Sequence, residues 1–508
     1  MPTNDTPASS PEPGTSAGPA TDKRDGGAPT APPEPTDDLV TRQHVLGVGR
    51  RRLKYTSTSG RMVLREEVVE DGKVQGYKPR ASVFLTAYTL DRADSRQRPV
   101  AFAFNGGPGS SSVWLHLGLL GPRRVVAGDA GVPVAPPYAL VDNPESLLVH
   151  SDIVFIDPIS TGYSRAVDGV KPADYHGFTA DIESVGEVIR LWTSRNGRWL
   201  SPKYLAGESY GTLRAAGLAA HLQQRHGMYL NGLMLISSVL DLSSIFFTEQ
   251  NDVPHAMYLP TYAAIAHYHG LHGDRPLTEV LAEAEAYAAG EYPRLLALGS
   301  RMTEAERDGA VATLARLTGL SPDYVDRVNL RIEHIRFFTE LLRNQRRAVG
   351  RLDGRFLGWE PDGGREHFTA DPSHMAVAGA YTAAINQYVR EELGYENDLP
   401  YEILSSATHQ AWSYKEFEGR SVSVVDRLGE TMRANPHLRI QVACGYYDGA
   451  TPYFAAEAVF AHLPIPDELR ANVSFAYYEA GHMMYVHEPS RTRQSAELAA
   501  FVTAKTDG

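Results

Sequence analysis

The sequence has 508 residues, of which 43% are apolar, and its 49 Lys and Arg against 61 Asp and Glu give a net charge of −12. This apolar content is enough to build a large core, which excludes a globally disordered chain. The negative charge argues against a dedicated nucleic-acid binder, because such proteins carry a clustered basic surface. The single cysteine, Cys444, excludes an intramolecular disulfide and predicts a reducing compartment.

Residues 1–40 are rich in Pro, Thr, Ser, Ala and Gly and contain no long apolar run. Such a segment buries too little apolar surface to offset the entropy of ordering, which predicts a disordered low-complexity tail without a catalytic role. It also lacks the apolar core of a secretory signal peptide, and nowhere does the sequence reach the ~18 consecutive apolar residues of a membrane span. We therefore expect a cytoplasmic protein that does not insert into a membrane.

The chain after this tail begins with residues that favour β-structure. Residues 53–58 and 62–70 are β-rich and are separated by Ser59-Gly60, a pattern that predicts a hairpin. Residues 81–90 predict a further strand. Order is expected from about Thr41 onward.

Short apolar runs then alternate with helical patterns. The runs at 99–104, 151–157, 203–206 and 232–239 are continuous, as expected of strands buried on both faces. Between them lie helix-compatible stretches such as 178–196. Strands that alternate with helices indicate βαβ units, so the sequence predicts an α/β fold with a mostly parallel central sheet.

A helical segment interrupts this sheet. Between about 251 and 430, strand patterns give way to Ala-, Leu-, Glu- and Arg-rich stretches with helical spacing, at 277–298, 303–317 and 321–345. Strand patterns resume after it, at 438–444 and 473–478, and a closing helix is expected at 490–503. The predicted organisation is therefore one α/β domain in two parts, 41–250 and 431–508, with a mainly helical cap inserted at 251–430.

The strongest chemical motif is Gly-Glu-Ser-Tyr-Gly at 207–211, which fits G-x-S-x-G. It directly follows the predicted strand 203–206 and precedes a helical pattern at 212–224. That strand–turn–helix context is typical of a nucleophile elbow, in which glycines permit a tight turn and the serine is exposed above the sheet. Ser209 is therefore the predicted nucleophile.

A serine nucleophile needs a base to take its proton and a carboxylate to orient that base. Asp448 follows the predicted strand 438–444, and His482 follows the strand 473–478. Parallel α/β sheets place their sites at the carboxyl ends of strands. The order Ser, Asp, His is that of α/β-hydrolases, so Asp448 and His482 are the predicted partners of Ser209.

A third motif, Asn-Gly-Gly-Pro-Gly-Ser-Ser-Ser at 105–112, follows the strand 99–104. Its glycines let backbone N–H groups approach a substrate and donate to the oxyanion of acyl transfer. The second donor would be the N–H of Tyr210, which follows the nucleophile. A phosphate-binding loop is the competing interpretation, but Gly-Lys-Ser/Thr and G-x-G-x-x-G are both absent here.

Two further features could suggest other chemistry. His267, His269 and His272 resemble a metal cluster, but they lack paired carboxylates and H-E-x-x-H spacing, so we interpret them as surface or helix-end histidines. Cys444 ends an apolar run and has no dedicated base, which favours a buried strand cysteine over a reactive thiol. No metal site or cofactor is predicted, because the nucleophile, base and oxyanion donors are all protein groups.

Taken together, these segments resemble the serine carboxypeptidase family of the α/β-hydrolase fold. The similarity covers roughly residues 80–250 and 435–495, and the insertion would correspond to the family's cap. The matching segments are Asn-Gly-Gly-Pro-Gly-Ser-Ser-Ser at 105–112, Leu-Gly-Pro at 120–122, the Asp-Pro-containing stretch at 155–164, Gly-Glu-Ser-Tyr-Gly at 207–211, Asp448 and Gly481-His482.

The resemblance implies a role for each matched residue. Ser209 would be the nucleophile, His482 the general base and acid, and Asp448 the residue that orients His482. The oxyanion N–H groups would come from Gly107 and Tyr210. The substrate is then a peptide with a free C-terminus, whose carboxylate would be bound by the side chains and backbone of Asn105, Gly106 and Glu208.

One departure from the family concerns this carboxylate. The family's second acidic partner for it falls at Leu119, which cannot form a hydrogen bond. Either Asn105 and Glu208 suffice, or a cation such as Arg123 or Arg124 contributes. We hypothesise that the working pH is less acidic than the family norm.

Three functions therefore remain open. The leading one is a carboxypeptidase that acts through an acyl-enzyme. An esterase or acyltransferase could use the same triad, since the fold alone does not select a substrate. A catalytically silent hydrolase-fold binding module is the third. The sequence does not indicate the residue preference, the physiological substrate or the oligomeric state.

Overall fold

The computed structural model describes residues 34–504, and one 10-stranded sheet runs through them. Most of the predicted disordered tail, residues 1–33, lies outside the described residues. The first strand begins at Asp38, slightly earlier than the expected start of order at Thr41. Among the described residues, no helix is both long and apolar enough to cross a membrane.

The strands of the described chain are β1 Asp38–Val48, β2 Arg51–Glu70, β3 Lys73–Leu90, β4 Val100–Phe104, β5 Arg123–Val126, β6 Gly128–Asp129, β7 Val132–Pro133, β8 Ala139–Asp142, β9 Asp152–Ile156, β10 Arg165–Ala166, β11 Lys203–Ser209, β12 Gly232–Ser238, β13 Arg347–Val349, β14 Leu357–Trp359, β15 Arg439–Gly445 and β16 Val473–Tyr478. The large sheet has the order β1-β2-β3-β9-β4-β11-β12-β15-β16, and β10 pairs with β3. From β9 to β16 all neighbours are parallel, whereas β1, β2, β3 and β9 pair antiparallel. The predicted α/β fold with a mostly parallel central sheet is confirmed.

The α-helices of the described chain are α1 Val113–Leu115, α2 Phe178–Arg195, α3 Tyr210–His226, α4 Val253–Tyr268, α5 Leu277–Ala289, α6 Glu291–Leu298, α7 Glu304–Thr318, α8 Pro322–Arg327, α9 His334–Glu340, α10 Pro372–Glu391, α11 Ser406–Ala411, α12 Val425–Ala434, α13 Tyr453–Ala461, α14 Asp467–Arg470 and α15 Glu488–Thr503. A π-helical turn, His116–Leu120, follows α1. Helices α4 to α11 fall within the predicted insertion, together with the small antiparallel pair β13–β14, and α12 crosses its predicted end at residue 430.

The predicted hairpin at Ser59-Gly60 is wrong, because β2 runs straight through it as one strand. β2 pairs with β1 on one side and with β3 on the other, and this pairing holds the segment extended. Gly60 has φ +142, and a Cβ there would overlap the backbone of Asp38. The glycine therefore serves the close approach of β1 rather than a turn.

Two predicted helices of the insertion are interrupted. The stretch 277–298 divides into α5 and α6 at Gly290, whose ψ of −89 is not helical. The stretch 321–345 divides into α8, α9 and a final 3-10 turn, and Asn329 and Leu330 between the two helices have left-handed φ values of 51 and 63. Composition alone favoured continuous helices at both places.

Both faces of the central strands are buried, which explains their continuous apolar sequences. In β4, Phe102 and Phe104 face a core shared with α2 and α3, whereas Ala101 and Ala103 face a second core shared with α10 and α15. The sheet is therefore a middle layer between helices. Its parallel strands end at one edge, where the motif-bearing loops follow β4, β11, β15 and β16.

Candidate active site

Ser209 occupies a strained turn between β11 and α3. Its φ of 61 and ψ of −131 lie in a region that L-residues rarely adopt. A Cβ at Gly207 would overlap the carbonyl group of Gly211, and a Cβ at Gly211 would lie 2.9 Å from the Phe104 carbonyl oxygen. Both glycines of the motif are thus required by close backbone contacts, as the elbow prediction anticipated.

The Asn-Gly-Gly loop after β4 packs directly on this turn. A Cβ at Gly106 would lie 2.5 Å from the Tyr210 nitrogen and 2.7 Å from the Gly211 nitrogen. Gly107, with φ +103, lines the same cavity as Ser209 and Tyr210. The two backbone segments predicted to carry oxyanion donors therefore lie side by side.

Asp448 lies in the loop after β15 and is fully buried. Its Oδ1 accepts from the backbone nitrogens of Ala450 and Thr451 at 2.8 and 2.9 Å, and its Oδ2 accepts from Thr451 Oγ1 at 2.8 Å. Burial opposes ionisation, but the adjacent His482 and these hydrogen bonds outweigh it and lower the pKa of Asp448. The carboxylate is therefore held charged.

His482 lies in the loop after β16, and its Nδ1 is 2.8 Å from Asp448 Oδ2. Burial disfavours the charged ring, yet Asp448 outweighs burial and raises the pKa of His482. His482 and Ser209 line one cavity of about 730 Å³. Within the described residues no hydrogen bond joins Ser209 Oγ to the ring, and catalytic hydrogen bonds of this kind often tighten only when substrate binds.

A second acidic group, Glu208, is buried beside the elbow. Its Oε1 accepts from Asn105 Nδ2 at 2.8 Å, and its Oε2 accepts from Tyr485 Oη at 2.7 Å. Burial raises the pKa of Glu208 to about 7, against the charge of His482. Asn105 and Glu208, both predicted to bind a substrate carboxylate, are thus hydrogen-bonded to each other, and Tyr485 is a third member of this group that sequence reasoning missed.

The two cations considered as contributors to carboxylate binding, Arg123 and Arg124, do not line the cavity. Arg123 forms ion pairs with Asp142 and Glu392 at 2.5 and 2.9 Å. Both arginines lie in β5, which follows the buried π-helical turn. Leu119 lies in the hydrophobic core and likewise does not line the cavity.

One segment of the insertion, residues 351–354, contacts the loops that carry Asp448 and His482. We call it the clamp segment. The Arg351 carbonyl accepts from the nitrogen of Gly449, next to Asp448, at 3.0 Å. The Leu352 carbonyl accepts from the backbone nitrogen of His482 at 2.6 Å. One short segment is therefore hydrogen-bonded to the loops of both Asp448 and His482.

The other two residues of the clamp segment, Asp353 and Gly354, also contact the loops of Asp448 and His482. Gly354 donates to the Tyr447 carbonyl at 2.9 Å, and Asp353 Oδ2 accepts from the Gly481 nitrogen at 3.1 Å. A Cβ at Gly481 would lie within 2.5 Å of Asp353 atoms, so the two backbones approach as closely as glycine allows. The glycine before His482 is explained by this contact.

Asp371, the N-cap of α10, holds the clamp segment from the other side. Its carboxylate accepts from the backbone nitrogens of Arg351 and Leu352 at 3.1 and 3.0 Å, and from Ser373. An Asp directly before Pro372 is a typical N-cap signal. Nothing local in the sequence indicates its contact with a segment about 20 residues earlier.

The three histidines of the insertion each contact a backbone carbonyl through Nε2. The Nε2 atoms of His267, His269 and His272 lie 2.7 to 3.0 Å from different backbone carbonyls. No group of three or more metal-ligating side chains is present in the described part of the chain. Cys444 is buried in β15, and burial raises the pKa of its thiol, as expected of a structural strand cysteine.

Comparison with known proteins agrees with these observations. The family model for serine carboxypeptidases matches residues 77–478. The pheromone-processing carboxypeptidase KEX1 of Yarrowia lipolytica is 26% identical over 234 residues, which cover 45% of this chain and 33% of that protein. The chain thus matches about a third of the length of this curated relative.

A solved structure gives the same result for the fold. KEX1(delta)p, a prohormone-processing carboxypeptidase from Saccharomyces cerevisiae, superposes with a TM-score of 0.54 at 14% identity, covering 89% of this chain and 93% of that one. His482 lies just beyond the residues matched by the family model, so its place beside Asp448 rests on the contact described above. The chain has the α/β-hydrolase fold and belongs to the serine carboxypeptidase family.

Proposed function

We propose that this protein is a serine carboxypeptidase that removes residues from the C-terminus of peptides. The observation that carries the proposal is a single cavity lined by Ser209, His482 and Glu208, in which His482 is paired with a buried, charged Asp448. Family membership supports the same reaction class.

The reaction would proceed through an acyl-enzyme. Ser209 Oγ attacks the carbonyl carbon of the last peptide bond while His482 Nε2 takes its proton, and Asp448 stabilises the resulting imidazolium. The oxyanion accepts from the N–H groups of Gly107 and Tyr210. His482 then donates the proton to the leaving amine as the C–N bond breaks, and a water deprotonated by His482 releases the acyl group from Ser209.

Glu208 and Asn105 would restrict this chemistry to chain ends. A protonated Glu208 carboxyl can donate to a substrate carboxylate, whereas the ionised form repels it. The raised pKa of Glu208, about 7, keeps the protonated form dominant below neutrality. A peptide with an amidated end lacks the anion that this pair would bind.

Replacing the nucleophile gives the first test. Ser209→Ala is expected to lower kcat/KM for a blocked dipeptide by at least about 10⁴-fold, because no acyl-enzyme forms. The free energy of unfolding, measured by denaturant titration, should stay near the wild-type value. Turnover that persists in this variant would contradict the role of Ser209.

The substrate class is tested on matched peptides with free and amidated ends. Rapid cleavage of the free acid alone supports the carboxypeptidase. Equal rates on both would instead favour an esterase or acyltransferase using the same triad. Failure of a serine-directed phosphonate to label the folded protein would revive the silent binding module.

We also propose a reducing compartment for this protein. The sequence has one cysteine, so its stability uses no intramolecular disulfide. Cys444 is buried within β15 and does not line the cavity. A thiol-reducing agent should therefore leave both the activity and the thermal midpoint unchanged.

A further inference from the structure

The insertion contributes an arginine, Arg351, to the lining of the cavity, together with the carboxylate of Asp371. We call the lining residues Trp114, Arg351, Leu352, Asp371, His374 and Met483 the Arg351 lobe. The rings of Trp114 and His374 are in contact, with centroids 5.8 Å apart. The cavity also has apolar lining side chains, namely Val239, Leu242, Ile245, Phe246 and Trp412.

One member of the Arg351 lobe, Trp114, lies beside the Asn105–Glu208 pair. The nitrogen of Leu115, next to Trp114, donates to Asn105 Oδ1 at 3.1 Å, and Asn105 in turn donates to Glu208. A substrate whose last carboxylate reached Glu208 would therefore place its last residue near Trp114 and the Arg351 lobe. The preceding residue, which is acylated onto Ser209, would lie toward the apolar lining residues.

Arg351 is the unusual residue of this lobe. Its backbone is fixed at both ends, because its nitrogen donates to Asp371 and its carbonyl accepts from Gly449. Its side chain is half-buried and lines the cavity. Within residues 34–504, no carboxylate lies at ion-pair distance from its guanidinium.

The carboxylates of the cavity do not neutralise Arg351. Asp371 lines the same region, but its oxygens accept from three backbone nitrogens and the Ser373 hydroxyl. Glu208 is engaged by Asn105 and Tyr485. A half-buried guanidinium without a partner gains most from an anionic ligand that it can bind through two parallel hydrogen bonds.

We propose that Arg351 binds a carboxylate of the substrate's last residue. This inference rests on the proposed function and names a specificity residue for it. Arg351 would supply the second contact to the substrate that Leu119 cannot make, from the insertion instead of the π-helical turn. The carboxylate has two possible sources, the chain terminus and an acidic last side chain, and the substrates below separate them.

The test compares wild type with Arg351→Gln and Arg351→Lys on four blocked substrates: Phe-Leu, Phe-Gln, Phe-Glu and Phe ethyl ester. If Arg351 binds the chain terminus, Arg351→Gln lowers kcat/KM by at least about tenfold on all three peptides. If it binds an acidic side chain, only Phe-Glu falls. In both cases the ester, whose leaving group has no carboxylate, stays within about twofold, and Arg351→Lys recovers part of the loss.

Arg346→Gln is the matched control, because Arg346 is exposed, lies five residues earlier and does not line the cavity. This variant should behave as wild type on all four substrates. Equal losses for the ester and the peptides in Arg351→Gln, or no loss on any peptide, would overturn the proposal.

A binding measurement separates this proposal from the proposed function. Calorimetric titration of Ser209→Ala protein with blocked Phe-Leu, Phe-Glu and their amides requires no turnover. If Arg351 binds the chain terminus, adding Arg351→Gln should weaken binding of both acids by at least about tenfold and leave the amides unchanged. If it binds an acidic side chain, the same substitution should weaken binding of Phe-Glu and its amide only. A wild-type enzyme that cleaves only the ester would refute the carboxypeptidase, while this titration would still decide the role of Arg351. Unchanged binding of all four ligands in the double variant would overturn the inference.

Discussion

The elbow and the clamp segment serve the same active site in different ways. The elbow holds Ser209 through contacts between adjacent loops, where Gly106, Gly207 and Gly211 leave no room for a Cβ. The clamp segment holds the loops of Asp448 and His482 from the insertion, through bonds such as that from Gly481 to Asp353, 128 residues apart in sequence. The nucleophile is thus positioned by its own sheet, whereas its base and orienting acid depend on an inserted segment.

The largest effect is expected where the elbow is most crowded. Gly106→Ala would place a Cβ 2.5 Å from the Tyr210 nitrogen and 2.8 Å from the Glu208 carbonyl oxygen, so one backbone must move. Because this displaces a proposed oxyanion donor, kcat/KM should fall by about 10² to 10³-fold on both ester and peptide substrates. Gly47→Ala in β1 is the control, since a Cβ there meets nothing within 4 Å. Equal activity in the two variants would contradict this account of the elbow.

The same contrast explains which features the sequence could predict. The strands and Ser209 follow from local signals, namely continuous apolar runs and glycines next to a serine. The hairpin at Ser59-Gly60 failed because pairing with β1 and β3 outweighs a local turn signal. Arg351 and Asp371 were missed because their importance arises from contacts with loops far along the chain.

A smaller loss is expected when the clamp segment is released. Asp371→Ala removes the bonds to the nitrogens of Arg351 and Leu352, so the loops of Asp448 and His482 become less well fixed. We expect kcat for the ethyl ester to fall by about tenfold or more, and the free energy of unfolding by about 1 kcal/mol from the lost N-cap.

Thr303→Ala is the matched control for this variant. Thr303 caps α7 in the same insertion but does not touch the clamp segment or line the cavity. It should cost a similar amount of stability, about 1 kcal/mol, and leave kcat unchanged. If both variants lose stability and neither loses activity, the clamp segment does not position the catalytic loops.

The smallest effect is expected from a change of pH, which alters the charge of Glu208 without moving the elbow or the clamp segment. The pKa of Glu208 is raised to about 7, so the protonated form that we propose to bind the substrate carboxylate is lost as the pH rises through neutrality. At pH 8 only about a tenth of Glu208 is protonated, so kcat/KM for a free-acid peptide should fall severalfold from its maximum. His482 must be neutral to act as a base, and Asp448 raises its pKa, so activity should also fall on the acidic side. The maximum is thus expected near neutrality.

Glu208→Gln should remove only the alkaline fall for the peptide, and the ethyl ester should lack that fall even in wild type. A wild-type maximum at pH 4–5, or an alkaline fall that persists in Glu208→Gln, would show that another group controls carboxylate binding.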